Sequence, residues 1–549
     1  MRGKAGLIII FFLALFLRLY RIAEYPAGLN ADEAAIGYNA YCLIQTGKDE
    51  FGHSWPIAFQ SFNDWKPGLY FYLVLPFVKI LGLNELAVRL PSVIMGALTV
   101  LVIYFLIKEL FPKENKFLIS EIAALMLAIS PWHLHFSRGG WETNAATFLI
   151  TTGVYFFIKF FKNPKFLILS SIFFILSLYT YHSARIVAPL LVLGLTTIYR
   201  KTIFKKENFK FLAVVFLISL VLIAPLIFSF FGPAGVSRFS GVGIFADQGP
   251  IWRVNELRGQ HPNPYGQFPK LIHNKYFEYL TRFMENYLRH FSGDFLFIFG
   301  DEIQRNKVPE MGQLYLIEAI FLPLGFYFLL KNRPENWQFL LWWLVVAPVA
   351  SALTFQSPHA IRALNMVIPL FIIISYGIVN FFQVFNLRKK FFFSIVLSSL
   401  FIILYLWNFA FYLHQYYVHY PKIYPAAWEY GFKDLVDYVK ENQEKYTKIY
   451  VTNEYDQPYI LFAFYLKYSP KVFQKEAKLT ERDRFGFSTV PNFGKYYFGS
   501  INLEKLKEES AGQKIMIVGT KKEIPDSATI IKRIYFKDGK TEAFRIIEL

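Results

Sequence analysis

The apolar stretch "GLYFYLVLPFVKILGL", residues 68–83, decides how this chain is threaded through a membrane. Eleven other runs are long and apolar enough to cross a bilayer. They lie at about 5–22, 90–107, 117–136, 143–158, 166–181, 186–199, 211–231, 314–330, 337–355, 363–385 and 391–413. Because one more crossing would move every later loop to the opposite side, the apolar run at 67–84, which contains this stretch, sets the topology. Pro76 and Lys79 within it favour a helix lying in the membrane interface over a clean span.

Composition identifies the class of protein. Of the 549 residues, 54% are hydrophobic and 19% are aromatic, which is too apolar for a soluble globular protein of this size. The N-terminus resembles a signal peptide, but Arg18 and Arg21 stand where a cleavage site would be, so we expect an uncleaved first span. Cys42 is the only cysteine, which excludes an intrachain disulfide and a cysteine-rich metal site.

The distribution of positive charge predicts the orientation. Neighbouring basic clusters are separated by two spans, or by two spans and a loop; the clusters are Lys108/Lys113/Lys116, Lys159/Lys162/Lys165, Arg200/Lys201/Lys205/Lys206/Lys210, Lys331/Arg333 and Arg388/Lys389/Lys390. The positive-inside rule therefore places all five in the cytoplasm, together with the N-terminus. This agrees with about eleven spans only if 68–83 does not cross. The loop bias also accounts for most of the formal charge of +18, and no basic soluble module suggests a nucleic-acid partner.

After the last span the charge density rises and the apolar runs shorten. We therefore predict a transmembrane domain over 1–413, with outer loops at 23–89 and 232–312, and a small extracytoplasmic α/β domain over 414–549. The α/β domain should contain a helix at about 428–442 and the strands "KIYVTN", "KIMIVGT" and "IIKRIYF". The predicted location is the cell membrane.

Two adjacent carboxylates, Asp32 and Glu33, begin the outer loop in "GLNADEAAIGYN", residues 28–39. Asn30 and Glu33 have the spacing of a capping box, so a purely structural role is open to Glu33. The helix dipole would favour Asp32 in the first turn, but its side chain need not fold back on its own backbone. Neighbouring carboxylates raise each other's pKa, which suits one of them to act as a general base.

Several cations are predicted at the outer ends of spans, against the positive-inside bias: Lys66, Arg138, Arg185 and Arg362. Lys66 stands at a helix start, where the dipole disfavours a positive charge. Headgroup anchoring is the alternative for Lys66 and Arg138, and helix capping is the alternative for Glu142. Together these groups indicate an anionic partner at the outer face. A helical stripe at 269–291 predicts an interfacial helix that could cover a lipid-facing cavity, with plain loop packing as the alternative.

These features resemble the GT-C glycosyltransferases, and more closely the polyprenyl-phosphate-sugar-dependent family that includes protein O-mannosyltransferases and aminoarabinose transferases. The resemblance rests on Asp32-Glu33 after the first span, "KPGLY" at 66–70, "RLPS" at 89–92, "SRGGWE" at 137–142 and "RALNMVIPL" at 362–370. It covers about 1–385, and the C-terminal domain matches only loosely.

The resemblance implies a GT-C-like fold and a membrane enzyme that transfers a sugar from a polyprenyl-phosphate donor to a hydroxyl acceptor on the extracytoplasmic face. Asp32 would be the catalytic base beside Glu33, Lys66 would contact the donor phosphate, and Glu142 would be the second acidic residue and a candidate ligand for a divalent metal. The sequence departs from the family at Gly68, where a second proline is usual, and at Glu142, where aspartate is commoner. Acceptor class and metal dependence therefore stay open.

The inferred partners are a polyprenyl-phosphate-linked sugar, membrane lipid, and an acceptor protein, lipid or glycan. Asp32 would accept the proton of the hydroxyl, and the anomeric carbon would be inverted; Arg138, Arg185 and Arg362 would assist Lys66 at the phosphate. A transporter or flippase of lipid-linked sugars is the alternative function. Transporters usually show repeats and charges at mid-membrane, whereas here the ionisable residues gather at span ends. A non-catalytic scaffold would leave the carboxylate pair without a purpose.

Overall fold

The computed structural model describes residues 2–232, 243–384, 391–483, 486–509 and 512–549. The chain forms two compact units. The first consists of Met1–Leu17, Met95–Phe136 and Thr143–Tyr412, and the second consists of Arg18–Ile94, Ser137–Glu142 and Leu413–Leu549. The second unit therefore contains both the residues after the first apolar helix and the C-terminal part of the chain.

Helices dominate the chain up to residue 230. Their bounds are α1 Arg2–Leu19, α2 Ala31–Thr46, α3 Leu69–Leu81, α4 Glu85–Leu110, α5 Lys116–Ile129, α6 Pro131–Phe136, α7 Glu142–Phe160, α8 Phe166–Leu178, α9 Ala184–Ile198, α10 Arg200–Ile203 and α11 Phe209–Phe230. Later helices lie at Gly249–Gly259, Gln267–Ile272, Lys275–Arg289, Glu318–Asn332, Trp337–Val346, Val349–Ala352, Val367–Val384, Phe391–His414, Tyr420–Ile423, Phe432–Asn442, Pro458–Tyr465, Pro470–Glu476 and Leu503–Glu509.

The apolar helices support a membrane location. Within the described residues, four segments are long and apolar enough to cross a bilayer: Glu85–Leu110, Lys206–Ser229, Leu364–Gln383 and Ile395–Ile423. Five shorter apolar helices lie at Ala5–Leu19, Leu69–Leu81, Phe166–Leu178, Ala184–Ile198 and Trp337–Ala352. The total of about eleven spans stays a prediction, and the basic cluster Arg388/Lys389/Lys390 lies outside the described residues.

The decisive stretch at 68–83 folds as α3, a helix of 13 residues with Pro76 inside it. A straight span needs about 20 residues, but α8, which is one of the expected spans, also has 13 residues. The non-crossing of α3 and its position in the interface therefore stay predictions. The amphipathic stripe at 269–291 corresponds to the helix Lys275–Arg289, preceded by the short helix Gln267–Ile272.

Helix α2 begins as the sequence predicts. The side chain of its N-cap, Asn30, accepts a hydrogen bond from the backbone N–H of Glu33 at 3.1 Å, which satisfies one of the free amides of the first turn. Gly37 lets α2 pack closely, since an added Cβ there would lie 2.6 Å from Phe464 and 2.7 Å from Val88. Segments far apart in sequence therefore enclose the helix that carries both carboxylates.

A two-stranded hairpin follows α2, and the sequence analysis did not anticipate it. Strands β1 Ala58–Ser61 and β2 Asp64–Pro67 pair antiparallel, with Phe59 opposite Lys66. Phe62 and Asn63 form the two-residue turn with φ of 56° and 61°, the left-handed conformation that tight hairpin turns require. A two-residue loop fixes the register and hence the face on which Lys66 lies.

The C-terminal residues form a six-stranded sheet in the order β4-β5-β3-β6-β8-β7. The strands are β3 Lys448–Val451, β4 Asn492–Phe493, β5 Tyr496–Phe498, β6 Ile515–Gly519, β7 Lys532–Tyr535 and β8 Glu542–Glu548. β3 pairs parallel with β5 and β6, and the other pairs are antiparallel. The three predicted strands are confirmed as β3, β6 and β7, and the predicted helix is found at Phe432–Asn442.

Candidate active site

Three segments of the second unit bring the charged residues together. Asp32 and Glu33 lie in the first turn of α2, Lys66 lies in β2, and Arg138 and Glu142 lie in the segment Ser137–Glu142. Since these segments come from three separate parts of the chain, their proximity is a property of the fold rather than of local sequence.

Asp32 and Lys66 form a direct ion pair through Oδ1 and Nζ. The side chain of Asp32 is 32% exposed, whereas that of Lys66 is 11% exposed, so the carboxylate is the more accessible partner. Burial opposes the charge on Lys66, but the negative charges of Asp32 and Glu142 outweigh burial and raise the pKa of the lysine. Lys66 therefore stays a cation at physiological pH.

Glu142 is the first residue of α7 and is 8% exposed. A carboxylate in this position interacts favourably with the helix dipole. The capping role that the sequence leaves open for Glu142 is therefore consistent with its position at the start of α7. Its charge also acts on the Lys66 ammonium. The structure thus brings Asp32, Lys66 and Glu142 into one electrostatic cluster.

Glu33 has a different environment from its neighbour. It is fully buried and accepts hydrogen bonds from Arg89 Nε at 2.8 Å, from Arg89 Nη2 at 2.9 Å and from the backbone N–H of Gly140 at 2.7 Å. This bidentate, fully bonded pair is the geometry that offsets the cost of burying two charges. Glu33 therefore fixes α2 to α4 and to the segment that leads to Glu142.

Arg89 completes this buried connection, and the sequence analysis gave it no role. Its guanidinium also donates to the carbonyl oxygens of Ile22 at 2.9 Å, Pro26 at 3.2 Å and Gly28 at 2.5 Å. An arginine four residues into an otherwise apolar helix was the available signal, because a charge there needs a buried partner. Its hydrogen bonds hold the chain between α1 and α2.

Arg138 is 1% exposed, and protein groups surround its guanidinium. It donates to the carbonyl oxygens of Arg18, Tyr20 and Tyr25 at 3.2, 2.8 and 3.2 Å, and to the hydroxyl of Tyr416 at 3.2 Å. These bonds favour a structural role over contact with a donor phosphate. Its part in phosphate binding stays a prediction.

Arg185 and Arg362 belong to the first unit. The guanidinium of Arg185 donates to the carbonyl oxygen of Leu178 at 3.1 Å, and that of Arg362 donates to Thr354 Oγ1 at 2.7 Å. Their predicted role at the phosphate also stays a prediction.

A second buried carboxyl, Glu50, lies near Lys66 and was missed in the sequence. It is fully buried, accepts a hydrogen bond from Asn39 Nδ2 at 3.0 Å and donates its backbone N–H to Asn39 Oδ1 at 2.9 Å. Burial raises the pKa of Glu50 to about 8, although Asn39 and the charge of Lys66 act in the opposite direction. The loop after α2 is thereby bonded back onto α2.

The C-terminal part of the chain supports the hairpin that carries Lys66. The backbone N–H of Ser488 donates to the carbonyl oxygen of Phe62 at 2.9 Å, and Asn63 Nδ2 donates to Ser488 Oγ at 3.1 Å. Gln474 Nε2 donates to the carbonyl oxygen of Asp49 at 2.7 Å. The C-terminal residues therefore position the loop and hairpin between α2 and α3.

Within the described part of the chain, no group of three or more His, Cys, Asp or Glu side chains is arranged to hold a metal ion. Asp32 is bonded to the Lys66 ammonium, which competes with a metal for the same oxygen. The part of Glu142 as a metal ligand stays a prediction.

Comparison with known proteins places this arrangement in context. Residues 65–228 match the model of the dolichyl-phosphate-mannose-protein mannosyltransferase family. This segment includes Lys66, Arg89, Arg138 and Glu142. A comparison with curated proteins gave no match.

Solved structures share the fold at low sequence identity. ArnT from Cupriavidus metallidurans bound to undecaprenyl phosphate has a TM-score of 0.54 at 12% identity, over 100% of this chain and 97% of that chain. The archaeal oligosaccharyltransferase AglB from Archaeoglobus fulgidus, in complex with an inhibitory peptide and a dolichol-phosphate, has a TM-score of 0.52 at 13% identity, over 94% and 69%. The Archaeoglobus fulgidus oligosaccharyltransferase complex with Zn and sulfate has a TM-score of 0.50 at 14% identity, over 84% and 61%.

The family match covers residues 65–228, and the structural matches extend over most or all of the chain. The resemblance of this chain to the GT-C superfamily of polyprenyl-phosphate-dependent glycosyltransferases is therefore confirmed.

Proposed function

We propose that this chain is a membrane glycosyltransferase that moves a sugar from a polyprenyl-phosphate donor to a hydroxyl acceptor on the extracytoplasmic face. The observation that carries the proposal is the partly exposed Asp32 carboxylate in contact with the Lys66 ammonium, with the charge of Glu142 beside it. A base and a fixed cation in one place are what transfer from a phosphate leaving group requires.

The proposed donor class follows from chemistry and from the relatives. A lipid phosphate is an anion that Lys66 would attract, and it leaves without needing a proton. The matched family is named for dolichyl-phosphate-mannose, and two similar structures hold undecaprenyl phosphate and dolichol-phosphate. These names support a lipid-linked sugar as donor. We propose a hexose or pentose as that sugar and a protein, lipid or glycan as acceptor.

The reaction is a single displacement in this proposal. Asp32 accepts the proton of the acceptor hydroxyl while the hydroxyl oxygen forms a bond to the anomeric carbon. The bond from that carbon to the phosphate oxygen breaks, its electron pair stays on the lipid phosphate, and the anomeric configuration inverts. Lys66 offsets the charge that develops on the departing phosphate, and its existing place in the site reduces the reorganisation needed.

Glu33 and Arg89 act in this proposal as positioning residues. Their buried pair holds the first turn of α2, and the hydrogen bond from Gly140 to Glu33 holds the segment before Glu142. Correct geometry between reacting groups contributes much of an enzyme's rate enhancement. The proposal therefore divides the adjacent carboxylates into a chemical one, Asp32, and a structural one, Glu33.

The direct test is transfer by purified protein from a panel of radiolabelled polyprenyl-phosphate sugars. Wild-type protein should move label to an acceptor, and Asp32→Asn should lower the rate by about 10²–10⁴-fold, the usual contribution of a general base. Asp437→Asn is the matched control, because Asp437 is a half-exposed carboxylate on the helix Phe432–Asn442. Full activity in Asp32→Asn would remove Asp32 from the mechanism.

The same panel separates an enzyme from a transporter. If the chain only moves lipid-linked sugars across the bilayer, label will be recovered on intact donor and never on an acceptor.

The proposed orientation needs its own test, in which Lys478→Cys and Lys331→Cys should react with impermeant reagents from opposite sides. The native Cys42 is buried and should contribute little background. Labelling of position 478 from the cytosol would contradict an extracytoplasmic C-terminal region.

A further inference from the structure

An apolar cavity of about 350 Å³ lies in the first unit, between α8, α9 and α11. Apart from four hydroxyl residues, its walls are aliphatic or aromatic. Two of the four are internally bonded, since Ser170 Oγ donates to the carbonyl oxygen of Gly153 at 2.8 Å and Ser171 Oγ to that of Ile168 at 2.8 Å. The volume is within the range of ordinary ligand pockets, and the walls suit a hydrocarbon chain.

One end of this cavity is built by the turn between α9 and α11. Ile203 and Phe204 of that turn line the cavity, and the side chain of Phe204 is 54% exposed. Val192 of α9 also lines it and is 40% exposed. The exposure of both wall residues shows that the cavity reaches the surface of the unit, where the apolar helix α11 also has few buried residues.

The same turn is strongly basic. It carries exposed side chains of five cations, Arg200, Lys201, Lys205, Lys206 and Lys210. Glu207 is the acidic residue among them, and its Oε1 lies 3.9 Å from Lys205 Nζ. The basic residues neighbour Ile203 and Phe204 in the chain. Positive charge therefore lies beside the open end of the apolar cavity.

We propose that this cavity binds one acyl chain of an anionic phospholipid whose phosphate contacts the basic turn 200–210. The occupant follows from charge complementarity. The apolar cavity can bind a hydrocarbon chain and the basic turn can bind an anion, and an anionic lipid of the adjoining leaflet has both an acyl chain and a phosphate. Each Lys or Arg at a membrane surface strengthens the attraction to anionic lipid roughly fivefold. The proposal does not depend on the transfer reaction, and it assigns this region a ligand distinct from the sugar donor.

The test is lipid retention by the full chain, measured by native mass spectrometry in detergent. Delipidated protein is titrated with phosphatidylglycerol and, separately, with phosphatidylcholine of the same acyl chains. Wild-type protein should bind phosphatidylglycerol more tightly than phosphatidylcholine. Lys205→Gln with Lys206→Gln should weaken phosphatidylglycerol binding roughly 25-fold, about fivefold per charge, and leave phosphatidylcholine binding unchanged. Lys113→Gln with Lys116→Gln removes the same charge from another turn and should have little effect.

The cavity is tested by a matched pair of substitutions on α9. Val192→Trp fills the cavity, whereas Leu193→Trp places the same side chain at the next position, which is 55% exposed and does not line the cavity. Only Val192→Trp should lower phosphatidylglycerol binding, with thermal unfolding showing that both variants fold. Equal binding of the two lipids, equal effects of the two tryptophans, or displacement of phosphatidylglycerol by equimolar polyprenyl phosphate would overturn the proposal. Asp32→Asn should leave retention unchanged whether or not it abolishes transfer.

Discussion

Replacing Glu33 with glutamine should damage the protein in a different way from replacing Asp32 with asparagine. Glu33 is fully buried and receives two hydrogen bonds from Arg89 and one from Gly140. Glutamine keeps one acceptor oxygen, but its NH₂ group would face an N–H donor of Arg89 or Gly140 where a carboxylate oxygen now accepts. The Arg89 guanidinium would then stay buried without its counter-charge.

The size of the effect follows from that loss. Removing one partner of a buried ion pair costs about 3–5 kcal/mol in the free energy of unfolding. For a unit of about 200 residues each kcal/mol moves the thermal midpoint by about 2–4 °C, so the midpoint of Glu33→Gln should fall by roughly 6–20 °C. Asp32 is 32% exposed, and the charge of Glu142 also offsets the buried Lys66 ammonium, so Asp32→Asn should lower the midpoint by less than Glu33→Gln does.

The assay measures both properties on both variants. Tryptophan fluorescence in detergent gives the thermal midpoint, and transfer from a radiolabelled donor gives the rate at a temperature where both proteins are folded. We expect Asp32→Asn to be stable and inactive, and Glu33→Gln to be unstable with measurable residual activity. If both variants unfold at the wild-type midpoint, the buried pair of Glu33 and Arg89 does not stabilise the site.

Three further predictions concern donor binding, pH and backbone packing. Lys66→Ala should raise KM for the lipid-phosphate donor by roughly 10–100-fold, the value of a charged hydrogen bond, and Lys66→Arg should recover part of the loss in a steady-state titration. The pKa of Glu50 is raised to about 8 from 4.5, so between about pH 5 and 8 the folded state holds a proton that the unfolded state releases. Stability should therefore fall as the pH rises from about 5 to 8. Thermal midpoints measured across this range should fall less in Glu50→Gln than in the wild type. Gly28→Ala should lower the midpoint far more than Gly82→Ala, since both have positive φ but only at Gly28 would a Cβ meet backbone, 2.0 Å from the carbonyl oxygen of Trp428; equal losses would assign the effect to φ alone.

Much of the fold could be predicted because it depends on local pattern. Apolar runs predict membrane helices, and Asn30 with Glu33 predicts the start of α2, which the structure confirms. Short runs rich in isoleucine, valine and tyrosine predict strands β3, β6 and β7, which are also confirmed. The hairpin Ala58–Pro67 was missed because Phe62 and Asn63 lack the glycine that normally identifies such a turn.

The candidate site was predictable in its components but not in its division of roles. The sequence indicated Asp32, Lys66, Arg138 and Glu142 as candidate site residues. In the second unit Asp32 pairs with Lys66 and the charge of Glu142 acts on the same ammonium, while the chemical roles of these residues stay predictions. It did not predict that carbonyl oxygens would surround Arg138, or that Glu50 would be buried beside Lys66. Those environments are made by segments up to hundreds of residues apart, which no local pattern encodes.

By itself the sequence determined that this is a membrane protein with paired carboxylates at the start of a capped helix, because hydropathy and capping act over a few residues. Only the tertiary structure decided which carboxylate meets Lys66 and which is buried against Arg89. The physical reason is that successive residues of an α-helix point about 100° apart, so two neighbours face different surroundings. What those surroundings contain depends on the packing of α4, β2 and the segment Ser137–Glu142 around α2.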